Sequence, residues 1–316
     1  MLANSKKRLQ VLKNRRERNH VLFFTSLVVL PILQFIIFYV CINFNMIIMA
    51  FQREIPKVGE LGFDTIFVGF ENFKRVFSFL AERKFLVKNS LLHFGAVSIP
   101  SMILALIFSF YIYKRYAMSG AFRVILFLPQ IVPSVVFALL FNYIVSDVYQ
   151  EIVFQLSGMK VEGLLAEGTA TKMPTVLFYN LWVGFGVNIL LFSGAMSGIN
   201  ESVVESAKLD GANIIQEYVY ITIPMVFSTV KSLAIVSLTS IFTHQLSLHA
   251  LFGAEAGDVA TLGYSMFINQ SALVSGLTLD LNFNELSSLG VVLTLIVLPL
   301  TLGSKKLMDK FGPSVN

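Results

Sequence analysis

The sequence predicts an all-α, polytopic membrane protein with six transmembrane helices and a cytoplasmic two-helix loop between the fourth and fifth of them. Three observations support this fold class. Of the 316 residues, 55% are hydrophobic. Only 14% are charged, whereas roughly a quarter are charged in ordinary soluble domains. The mean hydropathy is +0.73. So much apolar surface cannot be buried in one water-soluble core, which excludes an ordinary globular protein.

The sequence contains few residues in patterns typical of disulfides, metal sites, nucleotide sites or catalytic sites. The single cysteine, Cys41, lies inside an apolar run, so an intrachain disulfide is excluded. No spacing of His, Cys and carboxylates predicts a metal site, and no glycine-rich lysine loop predicts a nucleotide phosphate site. We therefore expect no enzyme activity, no catalytic residue and no bound metal. The net charge of +5 comes from residues that flank the apolar runs, which argues against nucleic acid as a partner.

Six apolar runs are long enough to cross the bilayer, whose hydrocarbon core of about 30 Å takes roughly 20 helical residues. Runs free of Asp, Glu, Lys and Arg predict spans at 21–51, 89–113, 124–146, 173–200, 232–254 and 286–304. The fifth span is expected to begin earlier, near Pro224. A seventh uncharged run, 259–279, is rich in Ser, Asn, Gln and Gly. That composition predicts a folded extramembrane or re-entrant piece and not a span.

The distribution of Lys and Arg predicts the orientation. Arg15, Arg16 and Arg18 stand beside the first span, where the positive-inside rule has most force. Both termini are therefore expected in the cytoplasm, and the first span is expected to remain as an anchor because no clear cleavage site follows it. The predicted organisation is a cytoplasmic basic N-terminus (1–20), a first transmembrane helix (21–51), an extracytoplasmic loop (52–84), a transmembrane core of spans two to six (85–304) that includes the loop 200–224, and a cytoplasmic C-terminus (305–316).

The stretch ESAKLDGANIIQEYVYITIP, residues 205–224, lies between spans four and five. Ser202 and Glu205 have the spacing of a capping box, which predicts the start of a short helix. Asp210-Gly211 predicts its end, because Gly tolerates the left-handed conformation found after a helix. The loop therefore contains a helix that stops at a glycine bend.

A second short helix follows the bend. Asn213 and Gln216 have cap spacing, and residues 214, 215, 218 and 219 fall on one apolar face. Pro224 suits the first turn of the next helix. A structured loop with an apolar face predicts a docking element for a cytoplasmic partner. The alternative interpretation is that these residues are ordinary helix punctuation.

The same stretch resembles the coupling motif, often called the EAA loop, of permease subunits in binding-protein-dependent ABC importers. The family pattern is Glu-Ala-Ala, two residues, Asp-Gly-Ala, then an aromatic residue, Ile and Pro. The matching residues are Glu205, Ala207, Asp210, Gly211, Ala212, Tyr218, Ile221 and Pro224. Ser206 stands where Ala is usual, and Tyr218 where Phe is usual.

The resemblance extends over most of the chain and is clearest to the sugar-importer branch. It covers VGFENFKRVF (68–77), KNSLL (88–92), FRVILFLPQIVPSVV (122–136) and LWVGFGVNILLFSGAMSGI (181–199). The chain departs from the family at 252–257, where a Gly-Gly-Pro turn is usual. The local fold of that segment is therefore not predicted by the resemblance.

The resemblance implies a type I importer in the bacterial cytoplasmic (inner) membrane. With a second, homologous permease, this chain would form the pathway for a sugar or oligosaccharide. Two ATPase subunits or domains would bind ATP-Mg, so that this chain itself binds no cofactor, and an extracytoplasmic solute-binding protein would deliver the sugar. The residues implied in coupling to the ATPase are Glu205, Ala207, Asp210, Gly211, Ala212, Tyr218 and Pro224.

Sugar contacts require polar or aromatic side chains at membrane depth. The candidates are Trp182, Gly184 and Asn188 in span four and Ser237, Ser240, His244 and Gln245 in span five. In the resembling permeases, substrate contacts come from these regions of the corresponding helices. The alternative interpretation is that Trp182 is an interfacial belt residue and that the small residues pack helices together.

Other functions stay open at this point. Within the importer family, the solute could be a polyol, a glycerophosphodiester or a polyamine. A secondary transporter would show internal repeats and paired charges near mid-membrane, and neither is evident in the sequence. The only charged residue inside a predicted span region is Lys231, near one end. A purely structural membrane anchor is disfavoured by the ordered loop.

Overall fold

A computed structural model describes residues 15–56 and 63–313. For residues 15–18, 56 and 63 it describes the backbone alone. Most of the predicted basic N-terminus lies outside the described residues, as do 57–62 of the predicted extracytoplasmic loop and 314–316 of the predicted C-terminus. The chain divides into two compact units. The first extends to Arg75 and includes Phe283–Val291, and the second holds Val76–Asn282 and the residues from Val292 onward.

The first unit begins with a long helix. It consists of α1 (Arg15–Phe35), a π-helical turn (Ile36–Cys41) and α2 (Ile42–Met49). An antiparallel hairpin follows, formed by β1 (Gln52–Pro56) and β2 (Phe63–Phe67), and then α3 (Glu71–Glu82) begins. None of the side chains in the most apolar window of the long helix is buried within the chain. A helix in contact with lipid has this property, because lipid tails accept apolar surface.

Polar side chains fix the end of the first span. The Asn72 amide donates to the carbonyl oxygen of Ala50 at 3.0 Å, and the Ser288 hydroxyl donates to the same oxygen at 2.9 Å. The Asn284 amide donates to the carbonyl oxygen of Met49 at 3.1 Å. The last carbonyls of a helix have no intrahelical partner, so these three side chains satisfy groups that the helix leaves open.

The regular elements described in the second unit are all helices. Its elements in chain order are α4 (Lys84–His93), a π-helical turn (Phe94–Ser98), α5 (Ile99–Tyr113), α6 (Ser119–Ile131), α7 (Ser134–Tyr143), a π-helical turn (Ile144–Val148), α8 (Tyr149–Ser157), α9 (Lys172–Ser197), α10 (Glu201–Leu209), α11 (Ile214–Glu217), a π-helical turn (Tyr218–Thr222), α12 (Ile223–Met225), α13 (Phe227–Thr239), α14 (Leu248–Phe252), a 3-10 turn (Gly257–Val259), α15 (Leu262–Val274) and α16 (Phe283–Phe311). The first turns of α16 belong to the first unit.

The core of the second unit forms where α5 packs along α9. The Ser109 hydroxyl donates to the carbonyl oxygen of Ile189 at 2.9 Å across this contact. The apolar residues buried around it include Ala105, Leu106, Phe110, Phe185, Phe192 and Met196. On another side of α9, Gly186 lets α6 approach closely, because a Cβ atom at position 186 would lie 2.7 Å from the carbonyl oxygen of Leu126.

Five helices are long and apolar enough to cross a membrane: Asn19–Met49, Lys84–Tyr113, Ser134–Ser157, Lys172–Ser197 and Phe283–Phe311. A sixth is counted when Ile214–Met225 and Phe227–Thr239, which meet at a bend of 67°, are taken as one span. The predicted spans 21–51, 89–113, 173–200 and 286–304 therefore correspond to observed helices. The run 259–279 contains only the 13 residues of α15, too few for a span, as predicted.

Two predicted spans are interrupted. The span predicted at 124–146 breaks where Val132 is extended, at φ −78° and ψ 137°, directly before Pro133. Proline lacks an N–H group and disfavours the helical conformation of the residue before it. The span predicted at 232–254 breaks where α13 ends, and positive φ angles follow at Leu246 and Ser247. The prediction of one continuous helix in each place is wrong, and the count of six spans stays a prediction.

Lys172 is the first residue of α9, and its side chain is only 1% exposed. Its ammonium group binds residues of two loops at that end of the helix. Its ammonium group pairs with the carboxylates of Glu167 and Asp258, the latter at 3.1 Å, and donates to the carbonyl oxygen of Ala256 at 3.1 Å. The ammonium also lies 5.1 Å from the ring centre of Phe252. We call these residues the Lys172 cluster. A buried ammonium group requires such partners, because burial without them is costly.

Two further side chains hold the segment 258–262, which directly follows the departure from the family pattern at 252–257. The Asn89 amide donates to the carbonyl oxygens of Asp258 and Ala260, at 2.7 and 2.9 Å. The Ser90 hydroxyl accepts a hydrogen bond from the backbone N–H of Leu262 at 3.0 Å. The segment is therefore anchored to the start of the second span.

Replacing Gly186 by Ala is expected to destabilise the protein by about 1–3 kcal/mol, since the added methyl group overpacks the contact between α6 and α9. Gly194 lies on the same helix and has no atom within 4 Å of its Cβ position. Gly194→Ala should therefore leave stability unchanged or raise it by up to about 1 kcal/mol. Thermal unfolding of the purified protein in detergent measures both effects. Equal melting temperatures for the two variants would contradict the close approach at Gly186.

Candidate functional site

A cavity of about 680 Å³ lies between the helices of the second unit. Its wall is formed by the end of α4 and the π-helical turn after it, α5, the junction of α6 and α7, α9, α13 and the turn after α13. The polar residues of the lining are Ser90, Ser98, Ser101, Gln130, Ser134, Asn180, Asn188, Ser237, Ser240, His244 and Ser247. Among the described residues that line this cavity, none is Asp, Glu, Lys or Arg. The wall therefore offers hydrogen bonds without a permanently charged side chain.

Both interrupted helices meet this cavity. Gln130 and Ser134 line it on the two sides of the break between α6 and α7. Ser240 follows the end of α13, and His244 lies in the turn beyond it. Non-helical backbone at membrane depth is tolerated where it is buried in protein or lines a cavity. Discontinuous helices of this kind form the binding sites of many membrane transporters.

The turn after α13 is fixed by close backbone packing. The N–H of Leu246 donates to Nδ1 of His244 at 2.9 Å, which orients the imidazole. A Cβ atom on Gly263 would lie 2.5 Å from the carbonyl oxygen of His244. Glycine at 263 therefore allows the start of α15 to pack directly against this turn.

Ser101 presents an unpaired hydroxyl at the cavity. Its Oγ is buried and has no hydrogen-bond partner among the described residues. A Cβ atom on Gly184 would lie 3.9 Å from this Oγ, so α9 passes close to Ser101 without crowding it. Buried polar groups are usually paired, and an unpaired hydroxyl on a cavity wall is a group that a polar solute or water can satisfy.

The structure brings five of the seven predicted substrate residues to the cavity. These are Gly184, Asn188, Ser237, Ser240 and His244. Trp182 and Gln245 are not among the lining residues. The Trp182 ring packs instead against the rings of Phe137 and Phe178, at centroid distances of 5.3 and 6.2 Å. Successive helical residues are about 100° apart, so positions 182 and 184 point in nearly opposite directions.

Sequence reasoning missed the part of the wall contributed by α5, α6 and α7. Ser101, Gln130 and Ser134 belong to this part. The signal that could have found it is the pair Pro129 and Pro133 in an apolar run, because such prolines mark helix interruptions. The contribution of Ser101 depends on how α5 packs against α9, which no local pattern reveals.

The loop between α9 and α13 contains two short helices around a glycine bend. At the end of α10, the N–H of Ala212 donates to the carbonyl oxygen of Ala207 at 3.0 Å, and the N–H of Gly211 donates to that of Lys208 at 3.1 Å. With Gly211 at φ +83°, this is a Schellman motif. The side chains of Asn213 and Gln216 form a capping box at the start of α11. Both features were predicted from the sequence.

The start of α10 differs from the prediction. Its cap is Asn200, whose Oδ1 accepts a hydrogen bond from the N–H of Ser202 at 3.1 Å. The predicted capping box of Ser202 and Glu205 is wrong, because the helix begins at Glu201 and both residues lie inside it. Glu205 is exposed on the helix surface and has no capping role.

The remaining residues of the predicted coupling set take up different environments. Asp210 is exposed, Ala207 and Ala212 are half-buried, and Pro224 lies in the first turn of α12. Leu209, Ile214, Ile215 and Tyr220 are exposed apolar residues.

Tyr218 points inward instead, with its ring centroid 4.8 Å from that of Phe110. The predicted single apolar face is therefore wrong at Tyr218, because Ile214, Ile215 and Val219 are exposed whereas Tyr218 packs into the protein.

Comparison with known proteins identifies the family. The family model for the binding-protein-dependent transport system inner membrane component matches residues 101–316. The arabinooligosaccharides transport system permease protein AraP of Halalkalibacterium halodurans is 27% identical over 305 residues, which cover 92% of this chain and 90% of that protein. The maltose/maltodextrin transport system permease protein MalF of Escherichia coli is 28% identical over 234 residues, which cover 69% of this chain and 45% of that longer protein.

The fold is shared with a solved structure. A chain from the crystal structure of a bacterial ABC transporter involved in the import of the acidic polysaccharide alginate superposes with a TM-score of 0.73, although only 18% of its residues are identical. The match covers 97% of this chain and 99% of that one. The spanning helices, the cavity at the helix breaks and the family match lead to one conclusion. The chain belongs to the family of inner membrane components of binding-protein-dependent transport systems.

Proposed function

We propose that this chain is the permease subunit of an ABC importer for a neutral sugar or oligosaccharide. The observation that carries the proposal is the cavity between two broken helices, whose mostly apolar wall carries hydroxyl and amide side chains and, among the described residues, no permanently charged one. Hydroxyl groups of a sugar both donate and accept hydrogen bonds, and the side chains of Ser101, Gln130 and Asn188 can do the same. The names of relatives agree, since AraP belongs to an arabinooligosaccharide system and MalF to a maltose/maltodextrin system.

The absence of permanent charge in the described lining argues against two of the alternatives. A glycerophosphodiester carries a negative phosphate, and a polyamine carries positive ammonium groups. Burial of an unpaired charge costs far more than burial of an unpaired hydroxyl. A polyol has the same hydrogen-bonding chemistry as a sugar, so uptake measurements must separate these two classes.

The proposed assembly contains a second, homologous permease, two ATPase subunits that bind ATP-Mg and an extracytoplasmic solute-binding protein. In this assembly the loop 200–224 docks on the ATPase through Glu205, Ala207, Asp210, Gly211, Ala212 and Pro224. Exposed Leu209 and Ile215 supply apolar contact area beside them. Tyr218, predicted in the same set, packs inward on Phe110 and supports the loop from behind. Membership of a multi-subunit transport family and the unpartnered apolar surface of the loop support this arrangement.

Uptake in cells that carry the complete transporter tests the substrate class. Uptake of radiolabelled maltotriose or arabinotriose should be competed by neutral oligosaccharides and not by sorbitol, spermidine or glycerophosphocholine. In the same assay, Asn188→Leu should raise the half-saturation concentration about tenfold, since loss of a buried hydrogen bond costs about 1–3 kcal/mol. Trp182→Phe, which preserves the packing outside the cavity, should leave it unchanged. Competition by spermidine or glycerophosphocholine alone would refute the assignment to sugars.

Gly211 tests the coupling role. Gly211→Val should loosen the ATPase or uncouple hydrolysis from transport, because a branched residue in the left-handed conformation is strained by roughly 1 kcal/mol or more. Asn tolerates that conformation, so Gly211→Asn should retain more coupling. ATPase co-purification and sugar-stimulated hydrolysis in liposomes are the measurements. If Gly211→Val shows wild-type ATPase co-purification and wild-type sugar-stimulated hydrolysis, the loop only connects two helices and has no coupling role.

The proposed orientation places both termini in the cytoplasm, as the basic residues beside the first span indicate. Single cysteines placed at positions 15 and 308, after replacement of Cys41, should be protected from an impermeant thiol reagent in intact cells. Both should react after the cells are opened. Labelling of either position from outside would overturn the orientation.

A further inference from the structure

The loop 200–224 is joined to the second span by a buried ion pair. Lys114 follows the last residue of α5, and Glu217 is the last residue of α11. The ammonium group of Lys114 pairs with the carboxylate of Glu217, and the two side chains are only 14% and 5% exposed. Pairs so well shielded from water depend on each other, because removal of one partner leaves an uncompensated buried charge.

Aromatic rings surround the same contact. The Lys114 ammonium lies 5.6 Å from the ring centre of Phe110 and 5.5 Å from that of Tyr113, within the range of a cation–π interaction. Tyr218, the residue after Glu217, packs on Phe110 at 4.8 Å. Two consecutive loop residues therefore contact the end of α5, one through charge and one through an aromatic face.

The start of α11 is rigid as well. The N–H of Glu217 donates to the carbonyl oxygen of Asn213 at 2.9 Å, and Asn213 belongs to the capping box. Glu217 is therefore held at a fixed position relative to the glycine bend. Movement of the bend carries the carboxylate with it.

The other end of the connection is the cavity. α5 runs without a break from Ile99 to Tyr113, and Ser101 and Met102 on its first turn line the cavity. Midway, the hydrogen bond from Ser109 to Ile189 ties α5 to α9, which contributes Asn188 to the same cavity. A displacement of the loop that is transmitted to Lys114 therefore reaches two walls of the cavity.

We propose that Lys114 and Glu217 are positioning residues for coupling. The pair locks the loop to the second span, so that movement imposed on the loop by an ATPase changes the cavity. This inference rests on the proposed function, in which the loop docks on an ATPase, and adds the element that receives the movement. Neither residue touches the substrate or the ATPase in this role.

Charge exchange provides the test. Lys114→Gln and Glu217→Gln should each lower sugar-stimulated ATP hydrolysis and sugar uptake about five- to tenfold, which corresponds to a lost coupling free energy of about 1–1.4 kcal/mol. Lys114→Glu combined with Glu217→Lys restores a pair of opposite charges and should recover at least half of the wild-type stimulation. Co-purification of the ATPase should stay at the wild-type level in all three variants. A merely structural role would predict that the single variants lose ATPase binding together with coupling.

A second lysine pair in the same unit serves as a matched control. Lys231 on α13 pairs with Asp309 on α16 at 2.6 Å, and these side chains are 30% and 45% exposed. Lys231→Gln should leave stimulated hydrolysis within about twofold of wild type, because exposed pairs contribute little. Normal coupling in Lys114→Gln, or failure of the exchanged pair to recover coupling in a folded, ATPase-bound complex, would overturn the inference. A wild-type complex that neither binds ATPase nor moves sugar would instead refute the proposed function.

Discussion

The hydrocarbon of the membrane cannot form hydrogen bonds with the backbone, and this constraint accounts for the arrangement of the site. A chain in that medium must satisfy its N–H and C=O groups internally, so any interruption of a helix needs protein or a cavity beside it. The chain has breaks after Ile131 and after Thr239, and one cavity borders both. Polar side chains gather there because the same space that tolerates irregular backbone also tolerates unpaired hydroxyl and amide groups.

The limits of the sequence prediction follow from what interrupts each helix. Spans bounded by charge, such as Lys172–Ser197, were located to within a few residues, because charged residues are excluded from hydrocarbon. The breaks at Pro133 and at Ser240 are uncharged, so a search for charge-free runs passed over them. Hydrophobicity identifies where a chain enters the membrane, whereas backbone chemistry decides whether it crosses as one helix.

In the candidate site, contacts between residues close in sequence were easier to predict than contacts between residues far apart in the chain. The bend at Gly211 and the cap at Asn213 involve residues within one turn of each other, and the sequence predicts both correctly, although it misplaces the cap at the start of α10. Gly184 and Asn188 are one helical turn apart and share a face, so both line the cavity. By contrast, the contact of Lys114 with Glu217 joins residues far apart in the chain. Only the packing of α5 against the loop brings these two residues together.

The Lys172 cluster has a consequence for the biogenesis of the protein. Ala256, which accepts a hydrogen bond from Lys172, follows it by 84 residues, and Ala260 follows Asn89 by 171 residues. During synthesis these early side chains are therefore made well before their partners. A chain that stops before residue 253 lacks the carbonyl partner of Lys172 and the two acceptors of Asn89. The early helices thus reach their complete set of hydrogen bonds only when the late segment has been synthesised, so a chain truncated before that segment lacks long-range contacts of the second unit.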